Sequence, residues 1–221
     1  MFWAPMFWDQ RATRKSRNSY HFASWSAVTG RCVRLEHREA LEKAIGVLDS
    51  LSIPYMMFGG NAQNVWGNPR FTKDADLVCI LDDARFGTLL QSLAGAGFDV
   101  ELPLHLERLV RGRIVKLPFG AISVDFVVGE TDFDRSALAR SQSVEYLGVH
   151  LKVVSPEDLI LYKLIAHRAQ DLADIEVVVR RQRSVLDRAY LVLWAGWLAQ
   201  ETGLDRIVTT LDTVLSRFGV G

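Results

Sequence analysis

The sequence has few cysteines, no excess of either charge and no long apolar run. Only Cys32 and Cys79 occur among the 221 residues, and Cys79 lies in an apolar run, so we expect a reduced, cytoplasmic protein and no disulfide scaffold. The 26 basic and 26 acidic residues cancel, which removes any bulk attraction to nucleic acid or to an anionic membrane. No apolar run approaches the roughly 20 residues that span a bilayer. We therefore expect no membrane partner.

The composition is that of an ordinary globular protein, with 49% hydrophobic and 24% charged residues. Residues 1–35 mix Trp, Phe, Arg and Ser without helical or strand periodicity and lack the apolar core of a signal peptide. We interpret them as an N-terminal arm, either disordered or docked on a partner. The rest divides into an α/β catalytic domain over 36–153 and a C-terminal helical domain over 154–221.

Periodicity and turn residues predict the order of helices and strands along the chain. In the C-terminal part, Ser155 is the expected N-cap of a helix that has Pro156 at its first position, and Gly203 separates the last two helices. The predicted helices cover 37–51, 61–67, 82–97, 132–141, 155–168, 171–182, 186–200 and 204–218. The predicted strands cover 55–58, 74–81, 98–101, 108–112, 113–119, 121–129, 143–147 and 149–154.

Two glycines end the apolar run YMMF and open a short helix at Asn61. Helix N-termini carry unpaired N–H groups and the positive end of the dipole, and glycine removes the Cβ that would keep an anion away. Gly59 and Gly60 therefore predict a phosphate-binding turn. An ordinary tight turn is the alternative.

Three aspartates lie in or beside apolar strands. Asp74 and Asp76 are one residue apart, so on a strand both side chains project from one face, where a hard divalent cation would relieve their repulsion. Asp125 stands inside the β-branched run ISVDFVV, where a buried charge requires a partner or a metal ion. The alternatives are a solvated turn pair for the first two residues and a sheet-edge side chain in water for Asp125.

The Gly-Gly turn, the segment PRFTKDADL and the later SVDFV together resemble the nucleotidyltransferase superfamily. The segment SPEDLILYKLIAHRAQDLADI is similar to a second signature of its AbiEii-like and minimal nucleotidyltransferase members. The resemblance covers about residues 55 to 180. It implies a polymerase beta-type fold, in which a small mixed sheet with flanking helices is followed by a helical domain.

The resemblance also implies roles for individual residues. Gly59, Gly60 and Asn61 would hold the triphosphate of an NTP, and Lys163 would reach the phosphates from the helical domain. Gly60 stands where many members of the superfamily have serine, so a hydroxyl contact to phosphate would come from elsewhere or be absent.

The three aspartates would be the metal ligands and catalytic residues of such an enzyme. By resemblance, Asp74 and Asp76 bind two magnesium ions, while Asp125 shares one of them and helps to deprotonate the acceptor hydroxyl. Arg70 and Lys73 flank the aspartate pair and are expected either to bind phosphate or to belong to an ordinary solvated turn.

Several charged residues of the C-terminal signature have a second interpretation. Arg168 and Asp171 lie three residues apart, as do Asp171 and Asp174, which is the spacing of ion pairs on a helix surface. Lys163 and Asp174 are eleven residues apart and would share a face of one continuous helix.

The expected function is metal-dependent transfer of a nucleoside monophosphate from an NTP to a hydroxyl group, and a toxin–antitoxin system is a candidate setting for it. The acceptor stays open among a tRNA end, a protein and a small molecule. The alternative is an antitoxin-like interaction module that keeps the fold but binds a partner protein. Three retained carboxylates favour the enzyme, because a pure binding module has no need of buried acids.

Overall fold

The structure is a computed structural model that describes residues 27–70, 72 and 74–220, with side chains from residue 34 onward. The helices of this part are α1 Ala27–Ser50, α2 Gly59–Trp66, α3 Phe86–Gly95, α4 Leu102–Gly112, α5 Asp132–Ala139, α6 Pro156–Ala166, α7 Ala169–Gln182, α8 Arg188–Thr202 and α9 Arg206–Phe218. The strands are β1 Tyr55–Phe58, β2 Asp74–Cys79, β3 Ile114–Phe119, β4 Ile122–Val128, β5 Gln142–Tyr146 and β6 Val149–Val153. Residues 1–26 of the predicted arm lie outside the described residues.

The strands form one mixed sheet of six strands in the order β3-β4-β2-β1-β6-β5. β2 runs parallel to β4, and β1 runs parallel to β6, whereas the other neighbouring strands are antiparallel. The chain leaves β2 through α3 and α4, forms the β3–β4 hairpin, and so brings β4 back beside β2. This return places residues about fifty positions apart in sequence side by side on two adjacent strands.

One continuous cluster of apolar side chains forms the core. Helix α1 packs against β4, β6 and α3, while α2 packs against β1 and β2 and also against α6 and α7. The largest fully buried side chains include Phe86, Phe126 and Phe133, and the cluster extends to Leu215 in the last helix. The predicted fold class, a mixed α/β sheet with flanking helices, is confirmed. The division at residue 153 stays a prediction.

Local sequence signals fixed the helix ends in the C-terminal part. The Ser155 hydroxyl accepts a hydrogen bond from the backbone N–H of Asp158 at 3.1 Å, and Pro156 begins α6, as predicted. Helix α8 ends at Gly203, whose φ of 69° lies in the left-handed region that favours glycine. These ends need only neighbouring residues, which explains why the sequence alone located them.

Two of the predicted strands are wrong. Residues 98–101 form no strand, although the Asp99 backbone N–H donates to the Pro118 carbonyl of β3 at 3.0 Å, and residues 108–112 belong to helix α4. The spacing of the buried His105 and Leu109 is helical, and Pro103 stands in the first turn, where it needs no N–H partner. Phe98 is nevertheless buried, packed edge-on against Phe126. Helix α1 also begins ten residues earlier than predicted, at Ala27.

The structure describes Cys79 and the helices, which bear on the expected absence of a disulfide scaffold and of a membrane span. The Cys79 thiol is free and buried, and burial raises its pKa to about 12, which leaves it unreactive at neutral pH. In the part of the chain that the structure describes, no helix is both long and apolar enough to cross a bilayer.

We predict that Ser155→Ala lowers the free energy of unfolding by about 1 to 2 kcal/mol, because it removes a buried N-cap. Ser155 is 1% exposed, and its hydroxyl also donates to the Asp158 carboxylate at 2.7 Å. Chemical denaturation followed by circular dichroism measures the change. Ser184→Ala, at an exposed position, is the control and is expected to be neutral. Equal stability of the two variants would contradict the assigned cap.

Candidate active site

Polar side chains occupy one face of the three neighbouring strands β2, β4 and β3. In the strand register Asp76 lies opposite Asp125, and Lys116 lies opposite Asp125 on the other side. Two residues earlier on the same two strands, Asp74 lies opposite Ser123. The residues between them, such as Ala75, Val124 and Leu117, point to the other face and are fully buried. The alternation of the strands thus gathers three carboxylates and one ammonium on a single face.

Asp74 is held at both its side chain and its backbone. Its Oδ1 accepts a hydrogen bond from the Ser123 hydroxyl at 2.5 Å, and its Oδ2 lies 2.9 Å from the Lys116 Nζ. Its carbonyl oxygen accepts from the Asn61 amide at 2.9 Å and from the Thr72 hydroxyl at 3.1 Å. These contacts fix the position of β2 relative to α2 and β4.

Asp76 packs against the Gly-Gly turn. Burial first and the neighbouring Asp125 second raise the pKa of Asp76 to about 7, and the backbone of Gly60 opposes the rise in the pKa of this carboxylate. Gly59 has a φ of 63°, and a Cβ at this position would overlap the Asp76 carboxylate. The glycine is therefore required by the carboxylate that it contacts, as well as by the turn.

Asp125 has Lys116 as its charged partner and is compensated by it only in part. Burial is the main cause that raises its pKa to about 6, and the charge of Asp74 adds to the rise, while Lys116 opposes it. Its Oδ1 lies 3.5 Å from the Lys116 Nζ but accepts no hydrogen bond. A buried carboxylate oxygen without a hydrogen bond is unusual and is suited to a cation.

A second charged cluster lies on the helical side, on α6 and α7. The buried Lys163 Nζ contacts Asp174 at 2.7 Å and Asp171 at 3.3 Å. The Arg168 guanidinium lies 2.6 Å from Asp171, and Arg70 lies 3.2 Å from Asp174. Burial alone would raise the pKa of Asp171, but the hydrogen bond from Arg168 and the charge of Lys163 outweigh it and lower that pKa. The charged residues of the C-terminal signature thus form ion pairs with one another.

Lys163 and Asp174 meet although the helix between them is broken. His167 ends α6 in the left-handed conformation, and α7 begins at Ala169. The contact therefore joins two packed helices, and the single helix considered from the spacing is absent here.

A cleft of about 320 Å³ separates the carboxylate face from the charged cluster on the helices. Both sides of the cleft contribute charged side chains, and the Gly-Gly turn forms one end. The lining includes Gly59, Gly60, Arg70, Thr72, Asp74, Asp76, Lys116, Asp125, Tyr162, Lys163, Arg168 and Asp171. Eight of the nine residues predicted for the site are described, and of these all but Asn61 line this one cleft.

The carboxylate face has the ligand chemistry of a divalent cation. In the described residues no three His, Cys, Asp or Glu side chains converge as a ready-made metal site. The oxygens of Asp74, Asp76 and Asp125 are nevertheless the hard donors that Mg²⁺ prefers, and an ammonium already contacts two of these residues. Burial is the main cause that raises the pKa of Asp76 and of Asp125, and a bound cation would stabilise their charged forms. The residues fit a magnesium ion.

Two of the residues predicted to bind nucleotide need separate comment. The Asn61 side chain is fully buried and engaged, donating to the Asp74 carbonyl and accepting from the Tyr146 hydroxyl at 2.9 Å. Lys73 lies outside the described residues. The nucleotide-binding role of each stays a prediction.

A threonine hydroxyl lies next to Gly60. A Cβ on Gly60 would lie 3.1 Å from the Thr72 hydroxyl oxygen, so a serine there would crowd Thr72. The Thr72 hydroxyl therefore lies beside Gly60, where it donates to the Asp74 carbonyl. The sequence analysis missed Thr72, Lys116 and Ser123. Lys116 stands at a polar position of the strand IVKLPF, but only the register with β4 reveals which carboxylate it meets.

A scan against known protein families matches residues 48–206 to the family described as "Nucleotidyl transferase AbiEii toxin, Type IV TA system". The match spans most of the chain and includes both sides of the cleft. The chain belongs to the AbiEii nucleotidyltransferase family. The predicted resemblance is therefore confirmed, and the carboxylate face is the candidate active site of this AbiEii-family protein. A search of the curated proteins found no match.

Solved structures with a similar arrangement include three named here. The solution structure of the antibiotic-resistance factor ANT(2'')-Ia is 13% identical, with 81% of this chain and 91% of that chain covered, at a TM-score of 0.49. An antigenic nucleotidyltransferase-like protein from Paracoccidioides brasiliensis is 17% identical, with 83% of this chain and 88% of that chain covered, at a TM-score of 0.47. The lincosamide antibiotic adenylyltransferase LnuA is 14% identical, with 63% of this chain and 94% of that chain covered, at a TM-score of 0.44.

We predict that Gly59→Ala destabilises the protein by about 1 to 3 kcal/mol, because it adds a Cβ at positive φ against the Asp76 carboxylate. Gly46→Ala is the matched control, since Gly46 lies in the exposed interior of α1 with open space around it. The control should stabilise the protein by about 0.5 to 1 kcal/mol. Urea denaturation of both variants measures the two effects, and a neutral Gly59→Ala would contradict the packing described here.

We predict that Asp76→Asn raises the melting temperature of the metal-free protein, and that the gain grows between pH 5 and pH 8. The folded pKa of Asp76, about 7, lies above its ordinary 3.8, so the folded state binds more protons in this window and loses stability as the pH rises. Asparagine does not titrate and avoids this loss. Thermal melts in EDTA at several pH values test it. A gain independent of pH would contradict the raised pKa.

Proposed function

We propose that this AbiEii-family protein transfers a nucleoside monophosphate from an NTP to an acceptor hydroxyl and releases pyrophosphate, using magnesium ions bound by Asp74, Asp76 and Asp125. The observation that carries the proposal is the face on which these carboxylates lie together on two parallel strands, where Lys116 contacts two of them. The family assignment supports the reaction class.

The reaction is an in-line displacement at the α-phosphorus. The acceptor oxygen forms the new bond to phosphorus, and the bond to the pyrophosphate oxygen breaks. Bound magnesium would neutralise charge on the phosphate oxygens and on the leaving pyrophosphate. Asp125 accepts the proton of the acceptor hydroxyl, and it lies on β4, which is paired with a strand on each side. Asp74 is kept in place by Ser123 and Asn61.

The triphosphate would lie between the Gly-Gly turn and the charged cluster on the helices. Arg70, 39% exposed, reaches the cleft from the loop after α2, and Thr72 supplies a hydroxyl beside Gly60. Lys163 is buried and held by Asp171 and Asp174, so its charge acts on the phosphates through the wall of the cleft unless the ion pairs open. We assign Gly59, Gly60, Arg70 and Lys163 to nucleotide binding on this basis, and retain Asn61 and Lys73 as members of the same set.

The family name connects the protein with type IV toxin–antitoxin systems. We propose that it acts in such a system and in the cytoplasm, where NTPs are available. The acceptor is a hydroxyl of a tRNA end, a protein or a small molecule.

A second candidate is a partner-binding module with the same fold. Helix α8 exposes Val192 and Leu193, at 47% and 69%, and such apolar side chains are a possible contact for a toxin or antitoxin protein. The carboxylate face favours the enzyme, because a module that only binds a protein would be more stable without three acids at this position.

We predict that Asp74→Asn and Asp125→Asn each reduce transfer by about a thousandfold or more, since each removes a metal ligand worth several kcal/mol in the transition state. Asp212→Asn, at an exposed position of α9 outside the cleft, is the control and should keep full activity. Transfer is measured as pyrophosphate release with candidate acceptors. Full activity of either site variant would contradict the proposal.

Binding can be tested before the acceptor is known. Calorimetry with each of the four NTPs, with and without Mg²⁺, should show magnesium-dependent binding that Asp74→Asn loses and Asp212→Asn keeps. Absence of binding by the folded protein, together with a second protein that copurifies with it, would favour the partner-binding module.

A further inference from the structure

Lys116 is a cation built into the carboxylate face. It lies on β3 opposite Asp125 in the antiparallel register, a position that directs its side chain to the same face as the carboxylates. Its Nζ is 2.9 Å from Asp74 Oδ2 and 3.5 Å from Asp125 Oδ1. The ammonium thus contacts two of the three residues that we assign to magnesium, one on each of the parallel strands.

A simpler explanation for Lys116 is its place on an edge strand. β3 is the first strand of the sheet, and lysine on such a strand prevents pairing with other chains. That role requires the ammonium to extend into solvent. Here it turns inward to two carboxylates and is 44% exposed, so its main partners are the acids of the site.

We propose that Lys116 is the resident counter-ion of the active site and competes with the metal ion for the oxygens of Asp74 and Asp125. In the metal-free protein it offsets the repulsion among the carboxylates. When a divalent ion binds, the ammonium leaves these oxygens, because the ion takes them as ligands and repels the ammonium beside it. The inference rests on the proposed function, since it concerns the same metal site.

The competition has a consequence for the order of events at the site. Displacing Lys116 weakens the binding of a metal ion that arrives alone. A metal ion that arrives with a triphosphate adds phosphate oxygens to its ligands and replaces the lost contacts. The lysine therefore favours loading of the site by the metal–nucleotide pair over loading by the free ion.

Binding of Mn²⁺ without nucleotide, followed by electron paramagnetic resonance, tests the competition directly. Mn²⁺ shares the preference of Mg²⁺ for oxygen ligands. Lys116→Met should bind Mn²⁺ roughly threefold to tenfold more tightly than the wild type, the range expected for removing two partly exposed ion pairs. Lys116→Arg, which keeps the charge, should resemble the wild type. Lys152→Met, at an exposed position of β6, corrects for the change in net charge.

A measurement on the unmodified protein covers the case in which Lys116→Met fails to fold. Limited acetylation followed by mass spectrometry reports how available each lysine amine is. Labelling of Lys116 should increase when Mg²⁺ is added, because its amine is released from the carboxylates, whereas labelling of Lys152 should stay constant.

The outcomes separate this inference from the proposed function. If the wild type binds Mn²⁺ and Lys116→Met binds it no more tightly, or if Mg²⁺ leaves the labelling of Lys116 unchanged, the counter-ion role is wrong while the metal site stands. If the folded wild type binds no divalent ion, with or without NTP, both proposals are wrong.

Discussion

The mutual repulsion of Asp74, Asp76 and Asp125 is the constraint on which the rest of the site depends. The parallel pairing of β2 and β4 brings these carboxylates onto one face, where burial raises the pKa of two of them. Such a cluster persists only if the surrounding structure supplies rigid support and positive charge. The Gly-Gly turn, the Ser123 hydroxyl and the Lys116 ammonium each meet part of this need.

On the helical side of the cleft, the group that needs compensation is a buried cation. There the buried cation Lys163 is balanced by Asp171 and Asp174, and the two aspartates in turn hold Arg168 and Arg70. Breaking one member of such a buried network leaves a charge without a partner, which is costly. The network therefore joins α6, α7 and the loop after α2 into one wall that faces the carboxylates. One side of the cleft therefore carries cations paired with aspartates, and the other side carries the three carboxylates and Lys116.

Much of the fold could be predicted because the signals are local. Helix caps such as Ser155 and glycine exits such as Gly203 depend on residues within one turn, and both are where the sequence places them. The segment 108–112, predicted as a strand, is helical in the structure. Only the packing of α4 against α3 and β3 distinguishes a helix there, since the period of so short an apolar run is ambiguous.

The sequence by itself determined the reactive groups, namely the Gly-Gly turn and three aspartates in or beside apolar strands, because a buried charge or a required glycine is visible without knowing its neighbours. Tertiary structure alone decided how these groups are compensated. Lys116 meets Asp125 through the register of β3 with β4, and Lys163 meets Asp174 across a break between two helices. Strand register and helix docking are set by the packing of the whole core, and residue spacing along the chain does not encode them.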